Sequence, residues 1–344
     1  MENLMTILKH FGLGTDFVKA EKINSGQINL TMKIIYSDDE KYILQKINGS
    51  VFESPERVMH NIEKLSSVIP DMKIKFLCAD NKNYVRVDNN YWRIYKYIEN
   101  SISFEKFESN DMIYEFGKII GKFHRDTAGA DISLFHETIR DFHNIRKRIE
   151  KLFRLHDMLK SDDTDFFEMI LSFYSRLESR NLKKIIVHND IKCSNALFEK
   201  SSLKSITLID FDTVMPGLSI FDFGDGVRSS CTTENAIDIE KYRYYCRGYF
   251  ENMRCEDKEN YFLGIVCIAG ELACRYLYDV LSGENYFSAK TDEQKLMEYN
   301  FQLYLSAKET AMLNQEKEKK EYDKLFEDED KKNGVVQVVT ENGE

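Results

Sequence analysis

The stretch IIVHNDIKCSNALFEKSSLKSITLIDFDTVMPG places His188, Asp190, Lys192 and Asn195 ahead of Asp210 and Asp212. Phosphoryl transfer needs these group types. One carboxylate accepts the proton of an attacking hydroxyl, and an amide with a second carboxylate holds Mg²⁺ on nucleotide phosphates. Asp190, Asn195 and Asp210 are read as those three parts. Lys192, two residues past the base, is placed to offset negative charge on the transferred phosphoryl group. His188 is read as orienting the loop rather than reacting. An isolated HxDxxxxN arises by chance, but followed at hairpin length by xDxD it is far more specific.

The two oxygen donors must be brought to one point, and the flanking residues predict how. A β run over 184–187 delivers His188 to a loop, and strands over 196–198 and 206–209 form a hairpin that returns Asp210 to the neighbourhood of Asn195. A literal DFG occurs later, at Asp222, Phe223 and Gly224. It is too far from Asn195 to be the metal-binding triplet. Asp222 and Asp225 are instead expected to accept hydrogen bonds from the backbone of the catalytic loop or to pair with Arg228.

Upstream, residues 22–48 read as an antiparallel β-meander with a turn at 37–40. In YILQKIN, Tyr42, Leu44 and Lys46 face one way while Ile43, Gln45 and Ile47 face the other, and whichever polar member points inward can reach a phosphate. Glu63 is its expected partner, on a helix marked by Val58, Ile62, Leu65 and Ile69. Further strands are expected over 74–79, 84–87 and 91–98. The turn in INSGQINLT could cover phosphates with backbone amides. WRIYKYIEN, ending at Tyr97, Ile98 and beyond, should cross between lobes and offer backbone groups to adenine. Beyond Phe104 the periodicity is mainly helical. The fold class is therefore α+β, with a nucleotide-binding lobe over 1–98, a catalytic and substrate-binding lobe over 99–325, and a charged, flexible tail over 326–344.

Composition narrows the function further. Of the 344 residues, 42% are hydrophobic and 31% charged, a globular balance, and 48 Lys and Arg against 58 Asp and Glu leave a net charge of −10. That balance argues against nucleic acid or an anionic membrane as partner. No uninterrupted apolar run approaches membrane-helix length, so a cytoplasmic protein is expected. Seven cysteines show no paired CxxC spacing, which fits packed thiols rather than a zinc site or a disulfide scaffold.

These residues resemble the aminoglycoside phosphotransferase and choline kinase superfamily, and most closely its N-acetylhexosamine 1-kinase branch. The likeness runs from about residue 24 to 287 and rests on SGQINLT, YILQKIN, WRIYKYIE, HNDIKCSN and, most specifically, LIDFDTVMPGLSIFDFGDGVR. It implies a protein-kinase-like bilobal fold, ATP as phosphate donor with Mg²⁺, and attack by the anomeric hydroxyl of N-acetylglucosamine or N-acetylgalactosamine to give the sugar 1-phosphate. Asp190 then becomes the base, Asn195 and Asp210 become magnesium ligands, and Asp212 contacts a second metal ion or the sugar. Arg275 and Tyr286 match sugar-binding positions, where an arginine fork and a phenol can hydrogen-bond hydroxyls or an acetamido carbonyl. Gln27 stands where the family leads one to expect histidine, and Gln45 where related phosphotransferases carry lysine. The partners implied are a small sugar and MgATP, with a monomer or homodimer as assembly. The alternatives are a kinase of another small alcohol, choline or an aminoglycoside, and a nucleotide-binding pseudokinase. A protein kinase is disfavoured by the absence of an HRD arginine and an APE segment.

Overall fold

The β-branched and aromatic runs of the first hundred residues form one antiparallel sheet in the computed structural model, which describes residues 2–23, 28–69, 71–233, 236–254, 257–287 and 290–314. Strands β1 (Lys19–Ile23), β2 (Leu30–Ile35) and β3 (Lys41–Ile47) make the meander, and β4 (Val85–Val87) and β5 (Asn90–Lys96) extend it in the order β1-β2-β3-β5-β4. Thr31 lies opposite Gln45, and Gln45 opposite Arg93, so one polar rung crosses three strands.

The alternation in β3 divides two cores. Tyr42 and Leu44 pack with Ile34, Ile94, two residues of helix α1 (Glu2–His10), Ile7 and Leu8, and Phe11 just past its end. Sequence reading did not anticipate α1; it caps the outer face of the sheet. On the other side, Ile47 joins Val58, Met59, Ile62 and Leu65 of helix α2 (Pro55–Val68) in the main core. Pro55 starts α2, where its missing N–H costs no helical hydrogen bond.

Two strand expectations need correction. Residues 74–79 form only isolated bridges, Phe76 with Tyr95 and Ala79 with Lys82, because Asp80 and Asn81 turn the chain at φ 50° and 62°. The crossing strand stops at Lys96. The Tyr97 N–H still donates to the Lys41 carbonyl at 2.8 Å, and Asn100, at φ 54°, then turns the chain into β6 (Ser101–Ile102).

The remainder is mainly helical: α3 (Asn110–Thr127), α4 (Ile145–Phe153), α5 (Ser161–Ser179), α6 (Ser219–Ser230), α7 (Ile239–Phe250), α8 (Lys258–Ser282) and α9 (Asp292–Asn314). Between α5 and α6 lie the short strands β7 (Ile185–Val187), β8 (Ala196–Glu199), β9 (Ser205–Leu208) and β10 (Met215–Gly217). β7 pairs with β10, β8 pairs with β9, and β6 pairs with β8, which fastens the inter-lobe connection to the helical half. Helix α8 is long and apolar enough to cross a membrane by length and composition, but 83% of its apolar window is buried inside the protein, where it forms the spine of the helical half. Glycine lets α3 and α7 approach closely, since a Cβ at Gly248 would collide with the Tyr114 carbonyl oxygen. The architecture is the expected α+β one, and the tail over 326–344 lies outside the described residues.

Candidate active site

The loop after β7 is held by a carboxylate beneath it. Asp222, in the first turn of α6, accepts the backbone N–H groups of His188 and Asn189, each at 2.7 Å, and the Nε2–H of His124 on α3 at 2.9 Å. Burial works against ionising this carboxyl, but the His124 hydrogen bond and charge outweigh it and hold it below the usual range. His188 is fully buried and structural. Its Nε2–H donates to the Ile209 carbonyl at 2.9 Å, and its Nδ1 accepts the Asp190 N–H at 3.3 Å. Burial pushes its imidazole down, toward the neutral form those two bonds require. Asp225, the other acidic group of this segment, pairs with Arg228 at 2.8 Å.

Three of the predicted residues converge on one carboxylate oxygen. Asp190 Oδ2 accepts from Lys192 Nζ and from Asn195 Nδ2, both at 2.9 Å. Burial alone would raise the Asp190 carboxyl; the Lys192 charge and hydrogen bond reverse that and bring it to about 2. Burial likewise acts to lower Lys192, and Asp190 lifts it above its ordinary value. The Asn195 nitrogen also donates to the Asp190 carbonyl at 2.8 Å, so its amide oxygen points away from the base. The hairpin does what its spacing predicts: Ile209 N–H donates to the Asn195 carbonyl at 2.9 Å, which sets Asp210 beside Asn195. Asp210 then turns the chain at φ 65°, a left-handed conformation that aspartate tolerates better than most side chains.

The profile of the phosphotransferase enzyme family matches residues 19–257. The chain belongs to that family. Solved structures with the same fold include a microcompartment-associated aminopropanol kinase (14% identity, covering 90% of this chain and 97% of that one, TM-score 0.66). A spectinomycin phosphotransferase in complex with ADP and spectinomycin is similar (14%, 88% and 93%, 0.59), as is a choline/ethanolamine kinase family protein from Mesorhizobium loti (12%, 90% and 92%, 0.60). The protein is thus a small-molecule phosphotransferase with a kinase-like fold.

In this phosphotransferase the donor set fits a hard divalent cation held jointly with nucleotide phosphates. Burial, Asp212 and Asp190 push the Asp210 carboxyl up to about 7, the mark of a site with surplus negative charge that a bound cation would relieve. Among the described residues no three His, Cys, Asp or Glu side chains gather into an all-protein cage. That suits Mg²⁺, which takes one or two carboxylates and completes its shell with phosphates and water.

The other predicted residues meet mixed outcomes. Asp212, expected to contact a second metal or the sugar, has a donor of the chain on each oxygen: Arg93 Nη1 on Oδ1 at 2.5 Å and Asn29 Nδ2 on Oδ2 at 2.7 Å. Gln45 does point inward, where its amide donates to Thr31 Oγ1 at 3.2 Å and accepts from Arg93 Nε at 2.9 Å. Glu63 does not partner it. The buried face of α2 carries Val58, Met59, Asn61, Ile62 and Leu65, and Glu63 falls on the exposed side. Gln27 lies outside the described residues. Tyr97 and Ile98 are half-buried at the crossing, with Lys33 Nζ 4.0 Å from the centre of the Tyr97 ring.

Arg275 and Tyr286 line the same cleft as Asp190, Lys192 and Asp210, a cavity of about 1280 Å³. The Arg275 guanidinium lies over Phe142, Tyr286 and Phe287, 5.1, 5.1 and 5.4 Å from their ring centres. Glu271 of α8 is 3.7 Å away and also takes Arg148 Nε at 3.0 Å. Burial would raise the Glu271 carboxyl, but Arg275, His143 and Arg148 hold it at about 2. Sequence reading missed Glu271, His143, Asn29 and Arg93. The sequence shows Arg93 only as a lone arginine at the centre of an apolar and aromatic strand; that it lies opposite Gln45 is set by the strand register.

Proposed function

We propose that this phosphotransferase transfers the γ-phosphoryl group of ATP to the anomeric hydroxyl of an N-acetylhexosamine, giving the sugar 1-phosphate. The observation that carries the reading is the acceptor wall of the cleft. Asp225 and Glu271 are each charge-balanced by arginines of the chain, Arg228 at 2.8 Å for the first and Arg148 at 3.0 Å with Arg275 at 3.7 Å for the second, which disfavours them as seats for a quaternary amine. The Arg275 fork and the Tyr286 phenol instead offer donors to neutral oxygens such as sugar hydroxyls and an acetamido carbonyl, with rings suited to the face of a pyranose.

Asp190 would be the base. At about 2 its carboxyl is ionised at neutral pH and so able to accept the hydroxyl proton. As the acceptor oxygen bonds to the γ-phosphorus, the bond to the β–γ bridging oxygen breaks, ADP leaves, and the hydroxyl proton passes to Asp190. Lys192, 2.9 Å from Asp190, stabilises the charge that spreads over the transferred group. Asn195 and Asp210 would hold Mg²⁺, which when bound neutralises phosphate charge. Tyr97 and Ile98 would offer backbone groups to adenine at the crossing.

The test is ATP consumption by the purified protein with Mg²⁺ against N-acetylglucosamine, N-acetylgalactosamine, galactose, glucose, choline, an aminopropanol and kanamycin, with the product phosphate located by phosphorus NMR. An anomeric phosphate on an N-acetylhexosamine is the expected product. Turnover confined to an amino alcohol or an aminoglycoside would overturn the sugar reading while leaving the base assignment standing, and no turnover on any acceptor would favour a pseudokinase.

A further inference from the structure

The largest fully buried side chain in the sheet half is a cation with no place in the scheme above. Arg93 of β5 is 1% exposed, and its partner Asp212, from the helical half, is 3% exposed. A buried ion pair is a poor device for stability, because two desolvation penalties oppose one attraction; its best-attested use is to fix one arrangement among several.

The arrangement fixed here is specific. The Arg93 guanidinium is aimed from three sides: Nε donates to Gln45 Oε1 at 2.9 Å, Nη1 meets Met59 Sδ of α2 at 3.7 Å, and the group lies 5.2 Å from the centre of the Phe76 ring. Gln45 is in turn held by Thr31, so the rung from β2 through β3 to β5 ends on Asp212. The second oxygen of Asp212 takes Asn29, at the end of the connection from β1 to β2, and Asn29 Oδ1 accepts the Asn48 N–H at 2.9 Å. One carboxylate, two residues from Asp210, therefore gathers β5, Asn29 just ahead of β2 and, through Asn48, the end of β3.

We propose that Arg93 is a positioning residue for MgATP: paired with Asp212 and aimed by Gln45, it locks the sheet, with Asn29 just ahead of β2, onto the segment that carries Asp210. The pairing also leaves Asp210 as the uncommitted carboxylate of the two. The inference rests on Asp210 being the metal-side ligand, and it makes no use of the acceptor's identity.

The test is binding of ADP with and without Mg²⁺, by calorimetry, to the parent, Arg93→Lys, Arg93→Gln, Asp212→Asn and the double variant R93Q/D212N. No acceptor is added, so failure of the sugar reading would leave this result untouched. Arg93→Gln leaves Asp212 unpaired and is expected to weaken MgADP by about tenfold or more, with a smaller loss for ADP alone. The double variant should recover part of the loss, and Arg93→Lys should fall between parent and Arg93→Gln. A residue that merely stabilised the fold would lower the melting temperature and weaken both ligands alike, and that pattern overturns the proposal. So does MgADP affinity at the parental level in a folded Arg93→Gln. If Arg93→Gln does not fold, the double variant decides, since parental MgADP affinity without either charge would equally overturn it.

Discussion

The catalytic loop and the nucleotide-facing sheet solve the same problem, holding polar groups in one orientation, by different means. The loop is held locally. Asp222 takes two consecutive backbone N–H groups, His188 bridges Ile209 to Asp190, and these bonds fall within the 38 positions bounded by Ile185 and Asp222, with His124, His143 and Ser229 adding contacts from the helices and loop around them. The sheet is held at long range, by a rung through Thr31, Gln45 and Arg93 that ends on a carboxylate 119 residues away. A locally framed loop should tolerate loss of one functional group without losing shape, whereas the long-range rung should fail as a unit.

The largest effect expected is on the loop's chemistry. Asp190→Asn keeps the bond from Lys192 within reach but removes the proton acceptor, and kcat should fall by roughly 10²–10⁴-fold. MgADP affinity should stay near parental, because the Asp190 backbone carbonyl still holds the Asn195 amide and keeps its oxygen turned away. Calorimetry and turnover on the same preparation check both halves, and undiminished turnover would remove Asp190 as base. Asp222→Asn comes next. It replaces an acceptor-only group by one with a donor facing two N–H groups, and the buried mismatch should cost about 2–4 kcal/mol in denaturant unfolding. Activity should drop with it, and an unchanged midpoint would break the claim that the loop is framed by this one carboxylate.

A smaller effect separates the two carboxylates after β9. Asp210 has its folded-state pKa raised to about 7 from an unfolded value near 3.8, so between those values the folded protein binds more protons than the unfolded chain. Its contribution to stability therefore falls as pH rises from about 4 to about 7. Without added Mg²⁺, the melting temperature of the parent should drop over that interval relative to Asp210→Asn, by on the order of 2–4 °C for each kcal/mol involved. Parallel curves for the two proteins would mean that Asp210 carries no surplus charge.

How much of this was readable in advance follows the same division. The β run, the loop, the hairpin and the αL turn at Asp210 lie within one contiguous string, so spacing alone places Asp190, Asn195 and Asp210 together, and it also anticipates Asp222 beneath the backbone. The inward side of β3 was readable too, because the strand period is 2 and Gln45 shares a face with Ile43 and Ile47. Arg93 was not identified, since which residue of β5 lies opposite Gln45 depends on register across 48 residues, and strand register is set by turns and core packing that no local pattern encodes. The partners of Asp212 were hidden for the same reason: its type and position suit a metal, and no local pattern foretells the buried arginine from β5 that pairs with it.

Glu63 gives the sharpest test of that lesson because it requires almost nothing to happen. Its choice as partner for the inward side chain of β3 assumed that the helix turned that residue toward the sheet. With 3.6 residues per turn, a face that buries Val58, Met59, Ile62 and Leu65 leaves Glu63 about 100° past Ile62, pointing outward, and Glu63 is exposed. Its backbone carbonyl accepts from the Ser66 and Ser67 hydroxyls within the helix, and among the described residues its carboxylate makes no ion pair. Glu63→Gln should therefore leave the KM for MgATP within about twofold of the parent, the range of an exposed substitution without special partners. A tenfold rise in that KM would mean that α2 rotates on nucleotide binding and brings Glu63 to Arg93. The long-range rung would then be the open state of a switch rather than the working arrangement.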